Sequence, residues 1–238
     1  MTAFELPARR RIFLMRHGDV TYFDDSGRAI DPETVPLNTH GLMQARSAGA
    51  AFAADGVRLD RVIVSGLPRT VQTAQQVLAA IGQHIELEVW PEWQEIRAGR
   101  LADLPPDRIE AAFLGAFDGV VAETTRFLGG ETIGELLDRT LPPLARLRED
   151  PSWETVLLVL HGGVNRALLS HAIAAGGRAF FGHLAQATGC INALDVGTEP
   201  GDWVVRMLNY SPPTPLFRDV RHTTLEMLYS QYLRYRRS

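Results

Sequence analysis

Short apolar runs of four to six residues alternate along this chain with longer stretches in which apolar side chains recur every three or four positions. The runs Arg11–Met15, Arg61–Val64 and Thr155–Leu160 read as buried strands. Ile85–Val89 alternates apolar with acidic residues and predicts a third strand in chain order. Ile191–Val196 and Trp203–Leu208 predict two more, joined by a turn that carries Gly197, Pro200 and Gly201. Between these lie helical patterns. Thr39–Ala54 places Leu42, Ala45, Ala48 and Phe52 on one face, with Asn38 or Thr39 available as its cap. Leu67, Val71, Ala74, Leu78 and Ile81 define a second helix, with Pro68 in its first turn and Gly82 as its stop. A third helix starts at Thr132, where Thr132 and Glu135 have capping-box spacing, and Pro142 and Pro143 are expected to interrupt or restart it. Val164–Ala175 is a fourth, ended by Gly176 and Gly177.

Strands alternating with helices predict an α/β sandwich around a largely parallel sheet. Two segments break the rhythm. Residues 19–38 are polar and rich in Asp, Gly and Pro, and read as a loop. Residues 91–130 carry Trp93, Pro105, Pro106 and an apolar patch from Phe113 to Phe117, and read as an excursion above the sheet, a partial lid. The expected organisation is one domain over residues 1–208 with a small lid-like insertion at about 91–130, and a C-terminal extension over 209–238.

Length, charge and cysteine usage narrow the class without naming it. A chain of 238 residues can bury a sizeable core. Its formal charge of −4 does not advertise nucleic acid or an anionic membrane as a partner. A single cysteine, Cys190, rules out an internal disulfide. The first residues lack the apolar core of a signal peptide, and no apolar run is long enough for a transmembrane helix. A cytoplasmic location is therefore expected.

The candidate chemistry sits where apolar runs end. Arg16-His17-Gly18-Asp19 follows the first strand, and His161-Gly162-Gly163 follows the fourth. Arg69 lies just beyond another strand end. The carboxyl ends of strands are where open α/β sheets place ligands. Two imidazoles and two guanidinium groups delivered there suit a phosphate. Phosphoryl transfer requires positive charge around the non-bridging oxygens, an in-line nucleophile and a proton for the leaving group. His17 is the candidate nucleophile, kept neutral by neighbouring cations. Arg16 and Arg69 offer bidentate contacts to phosphate oxygens, and His161 is expected to donate a further hydrogen bond in its protonated form. Gly18 and Gly162 let the backbone approach without a Cβ. Glu95, just after the third strand, is the candidate proton donor to the leaving oxygen and base toward water. This chemistry needs no metal and no organic cofactor. The sequence lacks a nucleophile elbow around Ser65 and any HExxH pairing, which argues against serine or zinc hydrolysis.

Six blocks in order resemble the histidine phosphatase superfamily, in its phosphoglycerate mutase-like branch: Arg16-His17-Gly18, the segment Leu37–Ala45, the segment Ser65–Ala74, Glu95 with Gly99, Gly129–Thr132, and His161-Gly162-Gly163. The resemblance implies a three-layer α/β/α sandwich around a mostly parallel sheet. It also implies a phosphohistidine on His17, phosphate contacts from Arg16, Arg69 and His161, and proton transfer through Glu95; Gly162 is counted with the phosphate-binding residues for its open backbone. Asp19 stands where that family commonly has glutamate, and Val20 and Phe23 stand where it often has a hydroxyl residue and an asparagine that helps hold phosphate. Tyr22, Phe23, Trp93 and Phe127 are read either as an aromatic pocket mouth or as core. Residues 100–130 hold Arg100, Arg108 and Arg126 but no paired basic motif of the mutase kind, so water is the expected acceptor and a small phosphorylated metabolite the expected substrate. A phosphoglycerate mutase-type phosphotransferase and a weak regulatory or binding member are the alternatives. The Pro-rich residues 212–215 and the basic tail are open to docking over the site, to a role in a homodimer, or to simple solvation.

Overall fold

The computed structural model describes residues 6–24, 28, 30–212, 214 and 221–235. Six strands, Arg10–Arg16 (β1), Arg61–Val64 (β2), Leu87–Val89 (β3), Thr155–Leu160 (β4), Ile191–Val196 (β5) and Trp203–Tyr210 (β6), form one sheet in the order β3-β2-β4-β1-β5-β6. The pairs β1–β4, β2–β4 and β2–β3 are parallel, whereas β1–β5 and β5–β6 are antiparallel, so β5 alone runs against the other five strands. The helices are Thr39–Ala54 (α1), Pro68–Ile81 (α2), Ile109–Leu114 (α3), Ile133–Glu149 (α4), Gly162–Ile173 (α5) and Thr224–Tyr235 (α6).

Both sheet faces are covered, which is why the central strands read as near-continuous apolar runs. Alternate side chains of β1 serve opposite layers. Phe13 and Met15 join Ala48 and Phe52 of α1 and Ala74 and Val77 of α2. Ile12 and Leu14 join Leu136, Leu137 and Leu144 of α4 and Val164 and Leu168 of α5. The expected three-layer sandwich is the observed one.

The helix starts follow the local chemistry. Asn38 caps α1, its side-chain oxygen accepting from the Gly41 amide at 2.8 Å. Thr132 and Glu135 make the full capping box at the start of α4. Pro142 and Pro143, however, do not interrupt α4, which runs unbroken through both. A proline there removes an amide donor and costs about 3 kcal/mol or more in a free helix. Burial of Leu136, Leu137, Pro143, Leu144 and Leu147 along one face outweighs that cost, and the Trp93 indole donates to the Thr140 carbonyl at 3.0 Å within the same stretch. Smaller differences lie at element ends. β3 is two residues shorter than expected at its start, α5 begins two residues early, at Gly162, and β6 continues to Tyr210.

Residues 91–130 add no strand to the sheet; they form single turns of 3-10 helix and α3. Ile109, Phe113 and Leu128 make a small separate core. It is completed from the far end of the chain, because α6 lays Leu228, Tyr229 and Tyr232 against it. The tail beyond the Pro-rich residues thus includes a docked helix. Residues 213, 215–220 and 236–238, which include much of the Pro-rich loop and Arg236 and Arg237, lie outside the described residues. Among the described residues no helix is long and apolar enough to cross a membrane.

Candidate active site

Sheet register brings the two histidines together. β1 and β4 pair in parallel with Arg16 opposite Leu160, so the next residue of each strand, His17 and His161, emerges at the same edge. The His17 amide donates to the Leu160 carbonyl at 3.0 Å and locks the juxtaposition. The two rings lie edge to face with centroids 5.2 Å apart. On the other side of β4, β2 pairs Val64 with Val159, which brings Ser65 level with Leu160 and within reach of the His161 ring. The Ser65 hydroxyl and His161 Nε2 are 2.7 Å apart. Arg69 enters from the first turn of α2, 2% exposed, with one Nη donating to the Pro32 carbonyl.

All of these groups are buried: Arg16 is 7% exposed, His17 1% and His161 0%. His17 Nδ1 lies 2.7 Å from the Gly18 carbonyl oxygen. A carbonyl only accepts, so Nδ1 carries the hydrogen and Nε2 presents its lone pair. Burial, reinforced by the guanidinium groups of Arg16 and Arg69, holds the His17 pKa well below the ordinary imidazole range. His161 is displaced the same way, by burial first and then by His17, Arg69, Arg16 and Arg139. Both imidazoles are neutral at neutral pH in the free protein, so the protonated His161 expected from the sequence is not its resting form: burial and the surrounding cations disfavour it.

Four buried side-chain polar atoms among the described residues find no hydrogen-bond partner in the protein, and three of them belong here: Arg16 Nε, Arg69 Nε and His161 Nδ1. Buried polar atoms are rarely left unpaired, and unpaired guanidinium donors ask for an anion. Arg16 is otherwise aimed by the Gln186 carbonyl, 2.5 Å from one Nη, and by the Thr224 hydroxyl at 3.3 Å. A side chain at Gly162 would come within 3.4 Å of Arg16 Nε, so glycine keeps that face of the pocket open.

Glu95 sits at the start of α5. Its carboxylate accepts from the Gly163 amide at 2.9 Å and from the Ile96 amide at 2.9 Å. A Cβ at Gly163 would lie 2.7 Å from Glu95 Oε1, so the second glycine after His161 is what admits the carboxylate. The expected close approach at Gly18 is also present, but toward protein: a Cβ there would meet the Gly41 carbonyl oxygen at 2.4 Å. Gly18 thus seats α1 against the histidine loop. Asp19 closes the same junction by accepting from the Asn38 amide side chain at 2.8 Å.

The aromatic candidates divide. Trp93 is fully buried in the core and stacks on Trp90, and Phe127, half-buried, stacks on Phe117 against the core. Tyr22 is half-buried; burial raises its phenol pKa while Arg69 and Arg16 pull it down, which puts it within electrostatic reach of the phosphate candidates. Phe23 is half-buried as well.

Several contributors went unread in the sequence. Arg139 of α4 pairs with Glu131 at 2.6 Å and donates to the carbonyls of Glu92, Gln94 and Glu95, so it holds the Glu95 loop in place. Thr224 reaches the site from beyond the Pro-rich loop. Neither has a local pattern that marks it. Ser65 lies in the Ser65–Ala74 block, but nothing local marks it as the partner of His161. Among the described residues no group of three His, Cys, Asp or Glu is arranged to hold a metal ion.

This fold, with paired histidines at the ends of β1 and β4, defines a family. The sequence profile of the histidine phosphatase superfamily, branch 1, matches residues 12–211, and the chain belongs to that superfamily. It is 27% identical over 191 residues to the adenosylcobalamin/alpha-ribazole phosphatase of Escherichia coli K12, covering 78% of this chain and 90% of that protein. It is 31% identical over 154 residues, 64% of this chain and 69% of the other, to a Salmonella paratyphi A protein named as probable phosphoglycerate mutase GpmB. In structure it is similar to the alpha-ribazole phosphatase of Shigella flexneri, with a TM-score of 0.64 at 24% identity, over 84% of this chain and 96% of that one.

Proposed function

We propose that the protein is a phosphatase that hydrolyses phosphate monoesters of small molecules through a phosphohistidine on His17. The observation that carries this reading is the set of partnerless buried atoms, Arg16 Nε, Arg69 Nε and His161 Nδ1, gathered around an imidazole whose Nε2 lone pair is free. In the first step His17 Nε2 forms a bond to phosphorus as the ester P–O bond breaks, and Glu95 gives its proton to the departing oxygen. In the second step Glu95 takes a proton from water, the water oxygen attacks phosphorus, the N–P bond breaks and inorganic phosphate leaves. Arg16, Arg69 and His161 hold the equatorial oxygens, where negative charge is carried throughout. The backbone opening at Gly162 lets the phosphate approach. The relatives named as phosphatases support hydrolysis, and the mutase name of one relative keeps transfer to a second hydroxyl as the alternative.

A panel of phosphate monoesters assayed for released phosphate tests the class, with His17→Ala as the control. Activity lost in that variant supports the reading, and activity retained in it overturns it. Incubation with a phosphoglycerate and a bisphosphoglycerate primer separates the two outcomes. Isomerisation faster than phosphate release would make the protein a mutase.

A further inference from the structure

Ser65, Thr70 and the Leu67 carbonyl form a chain of hydrogen bonds behind His161, and the direction of each link can be worked out. The Thr70 hydroxyl lies 2.8 Å from the Leu67 carbonyl oxygen, which can only accept, so the single hydrogen of Thr70 is spent there. The Ser65 hydroxyl is 3.1 Å from Thr70 Oγ1, which has no hydrogen left to give, so Ser65 donates to it. Ser65 Oγ is then an acceptor for everything else, including the Leu67 amide at 3.4 Å. His161 Nε2, 2.7 Å away, must therefore carry a hydrogen. Ser65, Thr70 and His161 are each 0% exposed, so no solvent competes for these links.

The geometry points to Ser65 and Thr70 as positioning residues that fix His161 as its Nε2–H tautomer, so that His161 Nδ1 binds a phosphate oxygen only together with a proton. The role given to His161 rests on the phosphatase reading above. In neutral His161 the partnerless Nδ1 bears a lone pair, and a phosphate oxygen facing it would set two lone pairs against each other. One proton from solvent resolves this, carried either as imidazolium or as P–OH donating to Nδ1. The groups that face His161 are His17 and Arg16 at the end of β1, Arg69 on α2 and Arg139 on α4, with Glu95 on the neighbouring Gly163 amide. The cations keep Nδ1 bare in the free protein, and a bound dianion reverses the balance. The two histidines are thus held in opposite tautomers, His17 with its hydrogen on Nδ1 and a lone pair to attack with, His161 with its hydrogen turned away from the phosphate.

Nitrogen NMR of the 15N-histidine-labelled full chain tests this at pH 8, with His161→Asn assigning the resonance and sulfate, a tetrahedral anion without a proton at that pH, as the probe. The wild type is expected to show His161 protonated on Nε2 alone when free and on both nitrogens with sulfate. Thr70→Val releases the Ser65 hydroxyl to donate to Nε2, so His161 should change to the Nδ1–H tautomer and bind sulfate without gaining a proton. Wild-type sulfate affinity should therefore fall with pH more steeply than that of Thr70→Val, by about tenfold per pH unit, since each proton taken up on binding contributes that factor. Ser65→Ala, which deletes the acceptor, should also release the Nε2–H preference. A free wild type with its hydrogen on Nδ1, variants that keep the wild-type tautomer, equal pH slopes, or failure of sulfate to bind would each overturn the inference. A protein that cleaves no phosphate ester, yet shows the expected tautomers and slopes, would instead refute the proposed function alone.

Discussion

Acid should destabilise this protein through its two active-site imidazoles. His17 is 1% exposed and His161 0%, and both are held neutral by burial and by the guanidinium groups around them. In the unfolded chain each titrates near pH 6.5. Below that pH the unfolded state binds protons that the folded state refuses, so the stability each histidine contributes is complete above about pH 6.5 and is lost as pH falls toward the folded-state pKa. For a group that stays neutral when folded, the loss between pH 6 and pH 5 is about 1.2 kcal/mol. Two such groups give about 2.4 kcal/mol, a large share of the 5–15 kcal/mol typical of a domain. Urea unfolding at pH 7, 6 and 5 measures this in the wild type, His17→Gln and His161→Gln. Glutamine does not titrate, and the carboxylates common to all three proteins cancel in the comparison. Each variant should lose about 1.2 kcal/mol less than the wild type between pH 6 and 5. Losses equal within about 0.3 kcal/mol would mean that the imidazoles already bind protons in the folded protein, and the electrostatic description of the site would fail.

Other consequences are as direct. Glu95→Gln should slow turnover of alkyl phosphates by 100-fold or more, in the range of about 10²–10⁴ for general acid catalysis, while p-nitrophenyl phosphate, whose leaving group needs no proton, loses far less; equal slowing of both would remove Glu95 from the acid role. Gly163→Ala sets a methyl 2.7 Å from Glu95 Oε1, so it should reproduce the Glu95→Gln selectivity without touching the carboxyl itself; unchanged kcat on alkyl phosphates would contradict it. Arg139→Met strips the partner from Glu131, whose side chain is 7% exposed, and frees the Glu95 loop. Thermal and urea unfolding should show a loss of about 1–3 kcal/mol, since Glu131, half-buried as a whole residue, keeps the Arg97 amide as a donor, and no measurable loss would mean that the pair carries little. Thr224→Val removes one hydrogen bond from the Arg16 guanidinium and should raise KM for phosphate esters about two- to fivefold, from the roughly 0.5–1 kcal/mol of one long link at 3.3 Å to a group that keeps the Gln186 carbonyl as a partner; an unchanged KM would detach α6 from the site.

The sheet was legible because its central strands, buried on both faces, leave unbroken apolar runs such as Val156–Leu160. The histidine pair was legible for the same reason, since each strand announces where it stops and His17 and His161 come next. β3 was overextended because it is an edge strand, held by β2 alone, and the apolar residues before it, Ile85 among them, pack beside the core without joining the ladder. Pro142 and Pro143 argue locally for a break, whereas the burial that keeps α4 continuous comes from the whole layer. Contacts between distant segments had no local signal. Nothing in the neighbourhood of Arg139 states that it will hold the backbone of Glu95, 44 residues earlier. Thr224 lies 208 residues from the arginine it meets, and α6 is outside the span matched by the family profile. Tyr229 and Tyr232 were readable as one face of an amphipathic tail, but their partner, Phe113 of α3, became identifiable only when both segments were folded together.

Rapid mixing with a 32P-labelled phosphate monoester, quenching in alkali and mapping of the labelled peptide bears most directly on the central claim. A phosphoramidate that survives alkali, is released by acid and resides on His17 is the expected product, absent from His17→Ala. Label on His161 or on Ser65, or turnover with no labelled protein at any time, would contradict the assignment of the two imidazoles to attack and to anion binding.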